Sequence, residues 1–160
     1  QGNSGGALIN TRGELVGINS QILSPSGGNI GIGFAIPSNM ARNVSQQLVK
    51  TGKVRRGQLG VAIEPVTPEL ASKLGMQEVR GVVVGAVSPN SPAARAGIRE
   101  GDVILAFNGT PVTDGNTLRN QVASTAPGTA VKLMLSREGR EQEIEVTLGE
   151  YQPPTAQRRR

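Results

Sequence analysis

Gly57-Gln58-Leu59-Gly60-Val61-Ala62-Ile63-Glu64 is the stretch whose reading decides the fold. Leu59, Val61 and Ile63 alternate with small or polar residues, the period of a strand with one face turned inward. This strand opens a pattern that runs to Gly149 and reads as complete. Thr67 to Leu74 suits a short helix with Thr67 as cap and Pro68 at its first position. Gly81 to Val87 is an apolar run of buried-strand type, and Ser91 to Ala96 a second short helix closed by Gly97. Asp102 to Phe107 is a further strand, ending on the tight-turn pair Asn108-Gly109. Asn116 to Ser124 places Leu118 and Val122 on one helical face, and Val131–Arg137 pairs with Gln142–Leu148 across Glu138-Gly139. Roughly five strands and two principal helices in ~90 residues make a small β-rich domain of ordinary size.

Upstream lies a basic linker, residues 52–56, and before it a different pattern. Ala7 to Asn10, Thr11-Arg12-Gly13 and Leu15 to Ile18 read as strand, turn, strand. A polar loop, Ser20 to Asn29, leads to a third strand at Ile30 to Ile36. Pro37-Ser38 then opens a helix with Ser38 as N-cap, an apolar stripe of Met40, Val44, Leu48 and Val49, and Gly52 at its end. Three strands and one helix have an apolar face and too little chain to cover it. Residues 1–51 therefore read as the C-terminal portion of a larger β domain, 57–149 as a second domain, and 150–160 as a disordered tail rich in Pro, Gln and Arg. The fold class is mainly β with short helices.

The chain has 160 residues, 36% hydrophobic and only 2% aromatic, so its core is aliphatic. Its 22 glycines and 10 prolines argue for many turns and short strands. No apolar run approaches the ~20 residues of a membrane span. With no cysteine there is neither a disulfide framework nor a thiolate metal site; no metal or cofactor is expected. The net charge of +5 divides as +5 over residues 1–56 (six basic, one acidic), −2 over 57–149 (eight and ten) and +2 over 150–160. This excess sits largely in the linker and the terminal arginines, with no interleaved aromatics for base stacking, so nucleic acid is not the expected partner.

The first seven residues, Gln1-Gly2-Asn3-Ser4-Gly5-Gly6-Ala7, set a serine among glycines directly before a strand. Such a path leaves a hydroxyl exposed, with backbone N–H groups free to receive an oxyanion. The same heptapeptide is also an ordinary glycine-rich turn. The sequence contains no histidine.

Two stretches, Gly2-Asn3-Ser4-Gly5-Gly6 and Gly27 to Pro37, resemble the trypsin-like domain of the HtrA (Deg) family of serine endopeptidases. Arg56 to Val61, Ser88 to Ala94, Ala96-Gly97-Ile98 and Gly101 to Ile104 resemble that family's first PDZ domain, and its bacterial periplasmic members most. The resemblance implies a piece of a trypsin-like β-barrel followed by a PDZ domain, within an ATP-independent endopeptidase that cleaves unfolded proteins and assembles as trimers. Ser4 then matches the nucleophile, and the N–H groups of Gly2 and Ser4 match the oxyanion-hole donors, with Asn3 shaping the turn between them. Ile18, Asn19 and Ser20 match the strand that pairs with substrate. Ile30 and Ile32 match either the wall of the specificity pocket or plain core.

In the PDZ part the resemblance implies capture of peptide C-termini or extended segments on an exposed strand. Gln58, Leu59, Gly60 and Val61 match the loop that holds the terminal carboxylate, with Arg56 as its upstream charge or as a solvated linker residue. Leu59, Val61, Ile63, Leu118 and Val122 match the groove lining, Ile63 and Val122 standing equally as core. The mechanism needs a histidine base and an aspartate, which the family carries ahead of the segment matched by Gln1; the chain alone is expected to bind peptide and not to hydrolyse it. A stand-alone PDZ module and a scaffold with an incidental Ser4 are the alternatives.

Overall fold

The computed structural model describes residues 3–22 and 31–153. The chain divides into two compact units, Gln1–Val54 and Arg55–Arg160.

The first unit is an open three-stranded antiparallel sheet, β1 (Ala7–Ile9), β2 (Leu15–Ile22) and β3 (Gly33–Pro37), in that order, followed by helix α1 (Ser38–Thr51). The hairpin turn is fastened by Asn10: its Oδ1 accepts the Arg12 and Glu14 N–H groups at 2.9 and 3.0 Å. The cap of α1 differs from the expectation. Ser38 is the first helical residue, and the cap position is Pro37, which brings no side-chain hydrogen bond. Gly52 closes the helix in the left-handed region, its N–H bonded to Leu48 O at 2.8 Å. The third strand begins at Gly33, later than expected, while β2 runs four residues beyond Ile18.

The second unit is built on a mixed-length antiparallel sheet ordered β10-β9-β7-β6-β5, with β8 (Thr110–Pro111) beside β7. These strands are β5 (Val61–Pro65), β6 (Val82–Val87), β7 (Val103–Phe107), β9 (Ala130–Arg137) and β10 (Arg140–Thr147). Adjacent residues feed two cores. Val82, Val84, Ile104, Leu133 and Leu135 enter one, under α3 (Pro92–Arg95) and α4 (Gly115–Ser124). Val83, Val103 and Leu105 enter the other, under α2 (Pro68–Lys73). Both faces are covered, which is why the sequence shows continuous apolar runs there instead of alternation.

Thr67 and Ser91 cap α2 and α3, accepting the N–H groups of Leu70 and Ala94. Helix α4 starts one residue earlier than its pattern suggested because Asp114 caps it. The strand expected over 58–64 is interrupted. Gly57–Gln58 forms a separate strand, β4, paired with β11 (Gly149–Glu150), and Leu59-Gly60 turns between β4 and β5. The tail expected from Glu150 therefore begins in order: Glu150 pairs with Gly57, its carboxylate takes Arg55 at 2.7 and 2.9 Å, and Tyr151 N–H bonds Arg56 O at 2.8 Å. Residues 154–160 of that tail lie outside the described residues.

Candidate functional site

Strand β5 ends its sheet, so one of its edges carries no strand among the described residues. Alongside that edge runs α4, and between them opens a groove of about 610 Å³. Its floor and walls come from Leu59, Val61, Ile63, Leu118, Val122 and Ala123, its rim from Arg56, Arg119 and Tyr151. Leu59, Leu118 and Val122 are 4%, 2% and 8% exposed and belong to the core beneath. Val61 and Ile63 are half-buried and pack against that core from the groove side. The two readings of Val122 thus merge: a buried side chain whose outer surface is groove floor.

One end of the groove is closed by the Leu59-Gly60 turn. Leu59 O accepts Ala93 N–H at 3.0 Å and Gly60 O accepts Ser88 N–H at 2.9 Å, so both carbonyls point into the fold. The N–H groups of Leu59 and Gly60 donate to no acceptor among the described residues. Successive free N–H groups in a turn with a left-handed residue form an anion-binding concavity. Gly60 has φ +80°, and a Cβ there would overlap Ser91 Cβ and lie 3.0 Å from Ser91 Oγ. Gly57 is held against α4 just as closely, its missing Cβ facing Thr125 O at 2.7 Å and Leu148 Cδ1 at 2.9 Å. Gly57 thus lets the chain lie against the end of α4, and Gly60 lets the turn lie against the Ser91 cap of α3.

The helical wall is fixed by its cap. Asp114 Oδ1 accepts Asn116 and Thr117 N–H at 2.7 and 3.0 Å, and its Oδ2 accepts the Thr117 and Thr113 hydroxyls at 2.7 and 3.0 Å. Led by the Thr117 N–H and hydroxyl, these donors hold the carboxyl down at about 2, against 3.8 for a free one. Asp102 is also committed to structure. It is buried and takes Arg137 at 2.7 and 2.8 Å and Arg99 N–H at 2.8 Å. A cleft of about 460 Å³ opens beside this pair, lined also by Lys73, Arg99, Glu100 and Glu138.

The Ser4 turn belongs to the first unit. Asn3 O accepts Gly6 N–H at 2.9 Å, Gly5 N–H bonds Asn19 O at 2.8 Å, and the Ser4 hydroxyl donates to Ser20 O at 3.0 Å. Ser4 is exposed and its turn is pinned to β2. Gly2 and Ile30 lie outside the described residues. Ile32 is 46% exposed and takes no part in a core.

Ile18 and Asn19, which match the family's substrate-pairing strand, are flanked on both sides in this chain. Ile18 pairs with Ala7 on one side and Ile36 on the other. Asn19 bonds Gly5 and Gly6 through its O and N and faces Ala35. A central strand has no unpaired backbone groups left for a substrate. Pairing with β1 reaches Ile18, the β2–β3 register shifts between Asn19 and Gln21, and Ser20 O accepts the Ser4 hydroxyl. Arg119, Ala123 and Tyr151 line the groove without having been singled out in the sequence. The i, i+4 step from Leu118 to Val122 implies neighbours at 119 and 123, but nothing local marks Tyr151, which arrives through β11.

A PDZ-domain family model matches residues 57–148, more than half of the chain. The chain belongs to the PDZ family. A trypsin family model matches residues 1–44. The periplasmic pH-dependent serine endoprotease DegQ of Escherichia coli K12 is 49% identical over 92% of this chain and 32% of its own length. The periplasmic serine endoprotease DegP of Salmonella typhimurium is 51% identical over 88% and 30%. The chain thus spans about a third of these relatives. Among solved structures, the HtrA-type protease AlgW with a tripeptide aligns with TM-score 0.76 at 45% identity, over 97% of this chain and 52% of that one. A serine endoprotease from Yersinia pestis aligns with TM-score 0.60 at 39% identity, over 95% and 49%.

Proposed function

We propose that this PDZ unit binds peptides ending in a free carboxylate as an added strand on β5. The observation that carries this reading is the β5 edge beside α4, unpaired among the described residues and closed by two N–H groups at Leu59-Gly60 that bond none of them. An extended peptide laid antiparallel on β5 brings its carboxylate to that turn and alternate side chains into the groove. Its last side chain, apolar and of moderate size, rests on Leu59, Val61 and Val122. Titration of the 160-residue chain with a decapeptide ending in valine, followed by amide chemical shifts, is expected to move Leu59 to Ile63 and α4. Unmoved shifts there at millimolar peptide would sink the groove assignment, and equal binding of the C-terminally amidated peptide would sink the carboxylate.

We further propose that the chain is part of an ATP-independent periplasmic endopeptidase acting on unfolded proteins, with Ser4 as nucleophile and the Gly2 and Ser4 N–H groups as oxyanion donors. Support comes from the exposed Ser4 hydroxyl in a glycine turn and from relatives named periplasmic serine endoproteases. A general base is required to deprotonate a serine hydroxyl; this sequence has no histidine, and Asp102 and Asp114 are occupied structurally. Alone, the chain therefore binds and does not cleave. Trimeric assembly of the whole enzyme belongs to the same reading.

A further inference from the structure

Two side chains meet where the first turn of α4 approaches β5. A Cβ placed on Gly115 would lie 3.3 Å from Ile63 Cδ1 and 3.4 Å from Arg119 Nη1. Arg119 therefore folds back along its helix, and its guanidinium sits beside Ile63 in the space a side chain at 115 would occupy. Every other anchor of the groove lies at the opposite end, where Gly57 packs on Val122 and Leu59-Gly60 closes the turn.

Arg119 is exposed and makes no ion pair among the described residues. Its one hydrogen bond goes to a neutral acceptor, Asn116 Oδ1, at 3.2 Å. The carboxylate on the same helix, Asp114, is filled by Thr113, Asn116 and Thr117. Of the charged residues lining the groove, Arg56 and Arg119, both are cations. Arg56 stands at the carboxylate end, which leaves Arg119 as the unmatched charge of the far end.

We infer that Arg119 selects peptides carrying an acidic side chain two residues before the C-terminal one. This rests on the groove reading above. Ile63 follows Val61 by two residues, about 6.6 Å along a strand at 3.3 Å per residue. A bound strand repeats its facing with period two, so the side chain two residues upstream of the last one also points into the groove. It arrives between Ile63 and the Arg119 guanidinium, where a glutamate's methylenes meet the isoleucine and its carboxylate meets the planar donor fork.

The test uses the 160-residue chain and decapeptides ending in valine that differ only in the third residue from the end: Glu, Gln, Lys or Trp. At about 50 mM salt the Glu peptide is expected to bind about three- to tenfold more tightly than the Gln peptide, a margin that shrinks as salt is added. Arg119→Gln should level the two, and Arg119→Glu should turn the preference toward Lys. Equal binding of Glu and Gln by the native chain overturns the inference and leaves the groove reading standing. So does a Glu preference that survives Arg119→Gln, or a Trp peptide that outranks Glu by stacking on the guanidinium. Binding of none of the four overturns both.

Discussion

Gly60 concentrates several demands in one residue. Its φ of +80° is left-handed, its carbonyl is spent on Ser88, and Ser91 fills the space where a Cβ would go. Gly128 has a similar φ of +84° but open space around it. The pair separates two effects. Gly128→Ala meets only the conformational penalty of about 1–2 kcal/mol. Gly60→Ala adds overpacking against Ser91, for a total of about 2–4 kcal/mol. Urea denaturation of both variants checks this, and equal midpoints would mean that Ser91 moves aside freely. Gly60→Ala should also abolish peptide binding, since the turn that presents the N–H groups is displaced.

At the scale of elements, α4 is the helical wall of the groove, and Asp114 fastens its start. The Asp114 carboxyl is held at about 2 in the folded chain, below its free value of 3.8. A depressed folded value adds stability that is present above pH ~4 and is lost as pH falls through about 2. Asp114→Ala lacks the cap at every pH. The stability gap between native chain and variant is therefore expected to be constant at pH 5–7 and to close between pH 4 and pH 2. Urea midpoints at pH 6, 4, 3 and 2 measure it, and a gap that stays constant to pH 2 would place the anchor elsewhere. The helix itself was legible from Leu118 and Val122, which stand four apart and face one core. Its cap was not singled out, because Asp114 precedes Gly115, a poor helix former that hides the start.

At the scale of the whole molecule the two units differ in how they hold together. In the first, Gly17 is the only buried residue among those described, while Leu15, Val16, Phe34, Ile36 and Val49 are 43% exposed or more. In the second, Val82, Val84, Ile104, Leu133 and Leu135 are at 0%. Local opening follows burial. Amide exchange of the chain is expected to be slowest in β7 and β9 and orders of magnitude faster across Leu15 to Ile18. Protection of Leu15 to Ile18 equal to that of Val103 to Phe107 would show that its sheet is covered in solution.

The sequence by itself determined the principal strands and helices of the second unit, because each apolar run, cap and turn acts within a few residues. Thr67, Ser91, Asn108-Gly109 and the apolar runs at Gly81–Val87 and Asp102–Phe107 needed no distant partner to be read. It also determined what chemistry is missing, since no fold supplies a histidine that is not in the chain. Only the tertiary structure decided which backbone edges are free. Ile18 and Asn19 carry nothing in their side chains that says β1 and β3 lie on both sides, and Val61 nothing that says its outer edge is open. Likewise Glu150 and Tyr151 read as tail, yet β11 brings them back to β4 and the groove rim. Strand neighbours far apart in the chain are set by cooperative packing, whose energy belongs to the pair and leaves no mark on either residue alone.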